Sequence, residues 1–298
     1  MAEQTCTVGG VDLCYEEFGA PGDPAMLLVM GLATQMLGWH EDLCETLAAR
    51  GFHVIRFDNR DSGRSSRLSH FNAPTLRQLA LRDRRAAGYS LADMADDAVG
   101  LLDHLGIDQA HVVGASMGGM IAQTIAIRHP DRVLSLVSIM SNTGARFTGQ
   151  PALRVLPTFL KPAPRGRDAY IEHTTKLYEL IGSPGFERDD AEFRERLGRA
   201  YDRGVDPAGS ARQLAAIMTA GDRAPQLRRL DVPTLVIHGT ADKLVNPSGG
   251  RATAKAVPRA KLLMIEGMGH DLPRGAWPRI IDAIAENAAR AGVPAGQA

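Results

Sequence analysis

Ala110-His111-Val112-Val113-Gly114-Ala115-Ser116-Met117-Gly118-Gly119 carries a short apolar run into a longer apolar segment, Met117 to His129, through glycine and serine. The first run has the length of a strand buried on both faces, and the second is long enough for a helix. Gly114, Ser116 and Gly118 stand in Gly-x-Ser-x-Gly spacing. At a strand-to-helix turn that spacing has a steric meaning. Serine there takes strained backbone angles, and side chains two residues away on either side would clash. Gly119 lets the helix pack close to the sheet. The helix start also aims free amides at an oxygen that turns negative during attack. The segment predicts a nucleophile elbow with Ser116 as nucleophile; the bland reading is a Gly-Ser turn before an ordinary helix.

On either side of the elbow, further apolar runs recur: Ala25–Met30, His53–Phe57, Val133–Met140, Thr234–His238 and Lys261–Ile265. Helix-like segments separate them: Trp39–Arg50, Ser90–Leu105, Pro247–Val257 and Trp277–Ala289. Ser90 reads as an N-cap with Asp93 at the capping-box position. Such alternation predicts an α/β fold with a doubly wound, mostly parallel sheet. Gly9-Gly10 reads as a hairpin turn, which sets Cys6 opposite Leu13.

Two stretches break the rhythm. Residues 65–89 form a long link. Residues 142–230 hold no strand-like run, and Tyr170, Ile171, Thr174, Leu177, Tyr178 and Ile181 follow helical spacing, as do Phe193, Leu197 and Tyr201. Leu214, Ile217 and Met218 mark a third helix, with Ser210 as its N-cap. The expected organisation is a core in two parts, 1–141 and 231–298, with a helical cap at 142–230 inserted before the last two strands. A separate domain is the alternative.

Serine at neutral pH needs a base. Of nine histidines, His53, His111 and His238 lie inside strands and suit packing. His104 and His129 sit late in helices, and His40, His70 and His173 have no companion motif. His270, in Glu266-Gly267-Met268-Gly269-His270, follows the last strand, at the sheet edge where ligands meet such folds. Asp242 follows Thr234–His238 at the same edge, and a carboxylate there would fix the imidazole tautomer. The strand Val133–Met140 runs instead into Ser141-Asn142, which offers no acid. The order Ser116, Asp242, His270 is the one this fold uses. An oxyanion hole needs two backbone N–H groups, and Met117 and Leu32 are the candidates, with Gly31 turning the loop inward. Tyr178 and Met218 are candidate pocket walls.

The 298 residues are 44% hydrophobic and 23% charged, with 34 basic and 34 acidic side chains. A zero net charge argues against nucleic acid as a partner. Arg64, Arg77, Arg82, Arg84 and Arg85 make one stretch locally basic, either a solvated loop or a patch for an anion. The opening MAEQTCTVGG lacks the pattern of a secretory signal, and no apolar run approaches a membrane span. Cys6, Cys14 and Cys44 form no CxxC and read as reduced thiols of a cytoplasmic chain. No HExxH or clustered metal-ligand pattern stands out.

With these residues in hand, the chain resembles the α/β-hydrolase superfamily over nearly its whole length. Arg56-Phe57-Asp58-Asn59-Arg60-Asp61-Ser62-Gly63-Arg64-Ser65 resembles that family's loop after its fourth strand, which either borders the active site or is structural here. Leu27-Leu28-Val29-Met30-Gly31 and the helical insertion are similar to capped esterases of the aclacinomycin methylesterase type. Met30 departs from the pattern, since many members carry histidine there. The resemblance implies a cap over a cleft, no cofactor, and hydrolysis of a small-molecule carboxylic ester through an acyl-enzyme. Thioester or lactone hydrolysis, carbon–carbon bond hydrolysis and cofactor-free perhydrolysis use the same residues, while an inert ligand receptor is the non-enzymatic alternative. Ser116 speaks against the dehalogenases and epoxide hydrolases, which need an Asp nucleophile. Nothing in the sequence reports the oligomeric state.

Overall fold

Gly9 and Gly10 take φ of 55° and 84°, a pair of left-handed positions that two-residue hairpin turns require. They fold β1 (Gln4–Val8) back on β2 (Val11–Phe18), with Cys6 opposite Leu13 as the turn predicts. The computed structural model describes residues 2–83, 87–160 and 164–292. Six further strands complete one sheet: β3 (Ala25–Val29), β4 (His53–Phe57), β5 (Ala110–Ala115), β6 (Val133–Ile139), β7 (Thr234–Gly239) and β8 (Lys261–Ile265). Their order is β1-β2-β4-β3-β5-β6-β7-β8. The pairs made by β2 with β1 and β4 are antiparallel, and all others are parallel. Each predicted apolar run is a strand, to within two residues at its ends.

The helices, in chain order, are α1 (Glu41–Ala48), α2 (Leu76–Leu81), α3 (Leu91–His104), α4 (Met117–Arg128), α5 (Arg167–Ile181), α6 (Asp190–Arg203), α7 (Pro207–Thr219), α8 (Ala224–Leu227), α9 (Ser248–Ala256) and α10 (Trp277–Ala289). Leu27 and Val29 of β3 face a core shared with α3 and α4, while Met26 and Leu28 face one shared with α1 and α10. All four are fully buried. A strand covered on both faces therefore gains about 1.5–3 kcal/mol from nearly every side chain, which is why its sequence reads as a continuous run rather than an alternation.

Ser90 caps α3 with Asp93 in a reciprocal box. The long link before it contains α2, capped by Thr75 and Gln78. Arg64 of the basic stretch pairs with Glu3 at 2.6 Å; Arg84 and Arg85 lie outside the described residues. Helices α5 to α8 fall between β6 and β7. Ser210 is not the N-cap of α7. Asp206 takes that place, accepting from Ala208 N–H, and Pro207 occupies the first turn, where its missing N–H costs nothing. Cys6, Cys14 and Cys44 are buried free thiols. Among the described residues no helix is long and apolar enough to cross a membrane.

Candidate active site

β5 ends at Ala115 and α4 begins at Met117, so Ser116 alone makes the turn. It takes φ 57° and ψ −120°, a conformation costing a non-glycine residue about 1–3 kcal/mol. The surroundings impose it. Ser116 N–H donates to Ile139 O at 2.9 Å. A Cβ on Gly114 would stand 2.1 Å from Gly118 O, and one on Gly118 would stand 2.0 Å from Val29 O. Only glycine lets the turn close this tightly against β3.

Ser116 Oγ lies 2.9 Å from His270 Nε2, and His270 Nδ1 lies 2.8 Å from Asp242 Oδ2. The other carboxylate oxygen, Oδ1, accepts the N–H groups of Leu244 and Val245, each at 2.9 Å. Burial would raise the Asp242 pKa, but the His270 charge and hydrogen bonds from His238 and His270 outweigh it and hold the carboxyl at about 2. Asp242 is thus an anion at neutral pH. An anion in that place favours the imidazole tautomer with its proton on Nδ1, the arrangement in which Nε2 can accept from the serine hydroxyl. Asp242 and His270 are buried, while Ser116 is half-buried and can be reached.

The loop carrying His270 is tied to the end of α5. His270 N–H donates to Ile181 O at 2.8 Å, Gly185 N–H to Gly267 O at 3.0 Å, and Gly269 N–H to Ser183 Oγ at 2.8 Å. A Cβ on Gly269 would come within 2.2 Å of Gly182 O, so glycine there permits the approach. On the other side of Ser116 runs the loop after β3. Gly31 is close enough that a Cβ on it would stand 3.0 Å from Ser116 Cβ. Leu32 follows it, and Met117 begins α4. The loop after β3 therefore passes directly against Ser116 at Gly31.

A family model for the alpha/beta hydrolase fold matches residues 24–273. The chain belongs to the α/β hydrolase fold family. It is 30% identical over 293 residues to rhodomycin D methylesterase DauP of Streptomyces sp. (strain C5), covering 92% of this chain and 93% of that protein. Rhodomycin D methylesterase DnrP of Streptomyces peucetius is 29% identical over 293 residues, with the same coverage. Among solved structures, an esterase, RhEst1 from Rhodococcus sp. ECU1013, superposes with a TM-score of 0.74 at 21% identity, covering 98% of this chain and all of that one. This last likeness concerns the fold.

In this α/β hydrolase, Tyr178 is half-buried on α5, its ring 5.1 Å from that of Phe193. Burial first, then the Asp271 charge, push its hydroxyl up to about 12, so it stays un-ionised at neutral pH. Met218 is half-buried on α7. A cavity of about 100 Å³ lies between the His270 loop and α6, with Ser183, Phe193, Arg196, Asp271 and Leu272 in its lining. Among the described residues no three His, Cys, Asp or Glu side chains are grouped to hold a metal.

Three features escape the sequence reading. His238, expected to serve packing, puts Nε2 2.8 Å from Val245 O and 3.3 Å from Asp242 Oδ2. The loop after β4 proves to be a junction. Asp58, wholly buried, accepts from Met36 N–H at 2.7 Å, Arg64 N–H at 3.0 Å and Arg203 Nη2 at 2.7 Å. Asn59 Nδ2 donates to Met30 O at 2.9 Å. The third is α7, whose buried face carries Arg212 and Gln213, while Leu214, Ile217 and Met218 are only half-buried. A charge or an amide destined for burial looks in sequence like one destined for solvent.

Proposed function

We propose that this chain hydrolyses a carboxylic ester of a small molecule through an acyl-enzyme on Ser116. The observation that carries the reading is the unbroken hydrogen-bonded relay from Asp242 through His270 to the Ser116 hydroxyl, at the head of a helix. His270 Nε2 takes the hydroxyl proton as Ser116 Oγ bonds to the ester carbon, and the carbonyl oxygen becomes an oxyanion. The N–H groups of Leu32 and Met117 hold that charge, each donor lowering the barrier by about 3–4 kcal/mol. His270 then hands its proton to the departing alcohol. Water repeats the cycle in reverse, releasing the acid and restoring Ser116.

Residues 142–230 act as a cap on a core made of 1–141 and 231–298, and Tyr178 and Met218 wall the substrate pocket. The ties between the α5 end and the His270 loop support a cap that rests directly against the site. The two relatives named rhodomycin D methylesterases support a methyl ester, and methanol as the leaving alcohol. The test is covalent labelling by a fluorophosphonate, together with turnover of matched methyl ester, thioester, lactone and diketone substrates. Ser116→Ala loses labelling and turnover, and the methyl ester is preferred. Labelling that survives the substitution, or preference for the diketone, rejects the reading.

A further inference from the structure

Gln213 lies on α7, far along the chain from the loop after β3, yet it is fully buried and bonded to that loop. Its Oε1 accepts the N–H of Ala33 at 2.9 Å, and its Nε2 donates to Arg60 O at 2.8 Å. These two bonds fix which way the amide faces. Turned over, it would set N–H against N–H and oxygen against oxygen.

Ala33 is the residue after Leu32, and it takes φ 56°. Alanine leaves that region readily, because a Cβ there crowds the backbone. The release turns ψ of Leu32 together with φ of Ala33 and swings the Ala33 N–H away; the Leu32 N–H, on the preceding peptide, then loses the fixed Leu32 Cα that holds it in place. Leu32 O also accepts the Thr34 hydroxyl at 3.1 Å, and Gly31 O accepts Thr34 N–H at 3.3 Å. Both bonds stay within the loop; its flanks are tied by Asn59 Nδ2 to Met30 O at 2.9 Å and by Ser62 Oγ to Thr34 O at 3.3 Å, but neither holds the Leu32–Ala33 peptide itself. Among the described residues Gln213 is the one side chain that ties the Leu32–Ala33 peptide to another part of the molecule. Arg212, beside it, is locked by a bidentate pair with Asp61 at 2.8 and 2.7 Å, so the helix that presents Gln213 is itself anchored.

We propose that Gln213 is a positioning residue of the oxyanion hole, holding the Ala33 peptide so that Leu32 N–H stays aimed beside Ser116. The inference rests on the assignment of Leu32 and Met117 as hole donors. It makes the helical insertion part of the catalytic geometry as well as a pocket wall: α7 sets one hole donor while the end of α5 steadies the His270 loop.

The experiment compares Gln213→Leu, similar in size but apolar, with Gln213→Glu, whose protonated carboxyl keeps an acceptor toward Ala33 and a donor toward Arg60 O. Each is assayed on an activated ester and on the matching thiono ester, whose C=S sulfur is a poor acceptor and gains little from the hole. Gln213→Leu lowers kcat on the oxo ester by about 10–100-fold with KM changed less than about threefold, and the oxo-over-thiono preference falls about tenfold. Gln213→Glu keeps a preference within about threefold of the parent. A Leu variant with parental kcat, or one that loses both substrates equally, overturns the proposal. If the Leu variant does not fold, Gln213→Met, which fills the same space without an acceptor, takes its place under the same two outcomes. Ser116→Ala runs in parallel. Turnover surviving that change rejects the nucleophile itself, a failure separate from that of Gln213.

Discussion

Asp271, covalently next to His270, turns its carboxylate away and accepts a hydrogen bond from the Ser183 hydroxyl. The acid that does meet the imidazole, Asp242, comes from the end of a different strand, 2.8 Å from Nδ1. Consecutive loop side chains diverge, so a neighbour rarely folds back onto its own partner's ring. A carboxylate arriving from a separate strand end can reach the ring from behind.

The two acids are therefore separable by substitution. Asp242→Asn keeps the shape but removes the charge and favours the wrong tautomer, lowering kcat by roughly 10⁴. Asp271→Asn loosens the tie to Ser183 and costs about tenfold at most, about 1.4 kcal/mol in the barrier. Turnover of both variants on one activated ester checks this. A crippled Asp271 variant beside an active Asp242 variant contradicts the assignment.

Burial pulls the His111 imidazole down to about 4, with Nδ1 2.9 Å from Ser135 Oγ. Above the unfolded value of about 6.5, both states hold it neutral and it contributes no pH dependence. Between that value and about 4, the unfolded chain takes a proton that the folded one refuses. Stability then falls by up to about 1.4 kcal/mol per pH unit, and about 3 kcal/mol is lost by the lower limit. Urea unfolding at pH 7 and pH 4.5 should show this loss, and His111→Asn should flatten the difference.

Gly118→Ala places a methyl group 2.0 Å from Val29 O, a backbone atom that cannot step aside without moving β3. We expect a destabilisation of about 3 kcal/mol or more, with loss of fluorophosphonate labelling because the same strain displaces Ser116. Thermal melting and labelling of the variant test it together. A labelled, parent-stable Gly118→Ala protein contradicts the packing at the elbow.

Much of this architecture can be read from local sequence, for reasons visible in particular residues. Leu27, Leu28 and Val29 announce a doubly covered strand because both faces need apolar side chains. Gly114 and Gly118 announce the elbow because each Cβ would strike backbone. Ser116, Asp242 and His270 stand out because each ends or follows a strand, and the structure brings their side chains within hydrogen-bond distance. The contacts between α7 and the core were not readable. Gln213 and Arg212 meet partners more than a hundred residues away, Ala33 and Asp61, and no periodicity encodes such a meeting. His238 is similar: its approach to Asp242 depends on how the turn after β7 curls, which the residue types alone do not specify. The Ser210 cap is a different kind of error, local rather than distant, because Asp206-Pro207 is itself a strong helix start and lies earlier.

Asp61 and Arg212 are both buried, with 0% and 2% of their side chains exposed. Tyr89 Oη and Leu68 N–H also donate to the Asp61 carboxylate, each at 2.7 Å. Replacing the pair together is tolerable in principle, since the charges leave together. Removing one partner strands the other in a dry site. Arg212→Met should cost about 3–5 kcal/mol, because Asp61 keeps its charge and loses its counter-ion. Asp61→Asn should cost less, since Arg212 retains Asp206 at 3.1 Å and asparagine tolerates the φ of 64° at position 61. The double variant should be more stable than the sum of the two losses by about 1–3 kcal/mol. Urea unfolding of the parent, both singles and the double closes the cycle. Additive losses would mean that the two side chains do not depend on each other, and that α7 is held to the core by its other contacts.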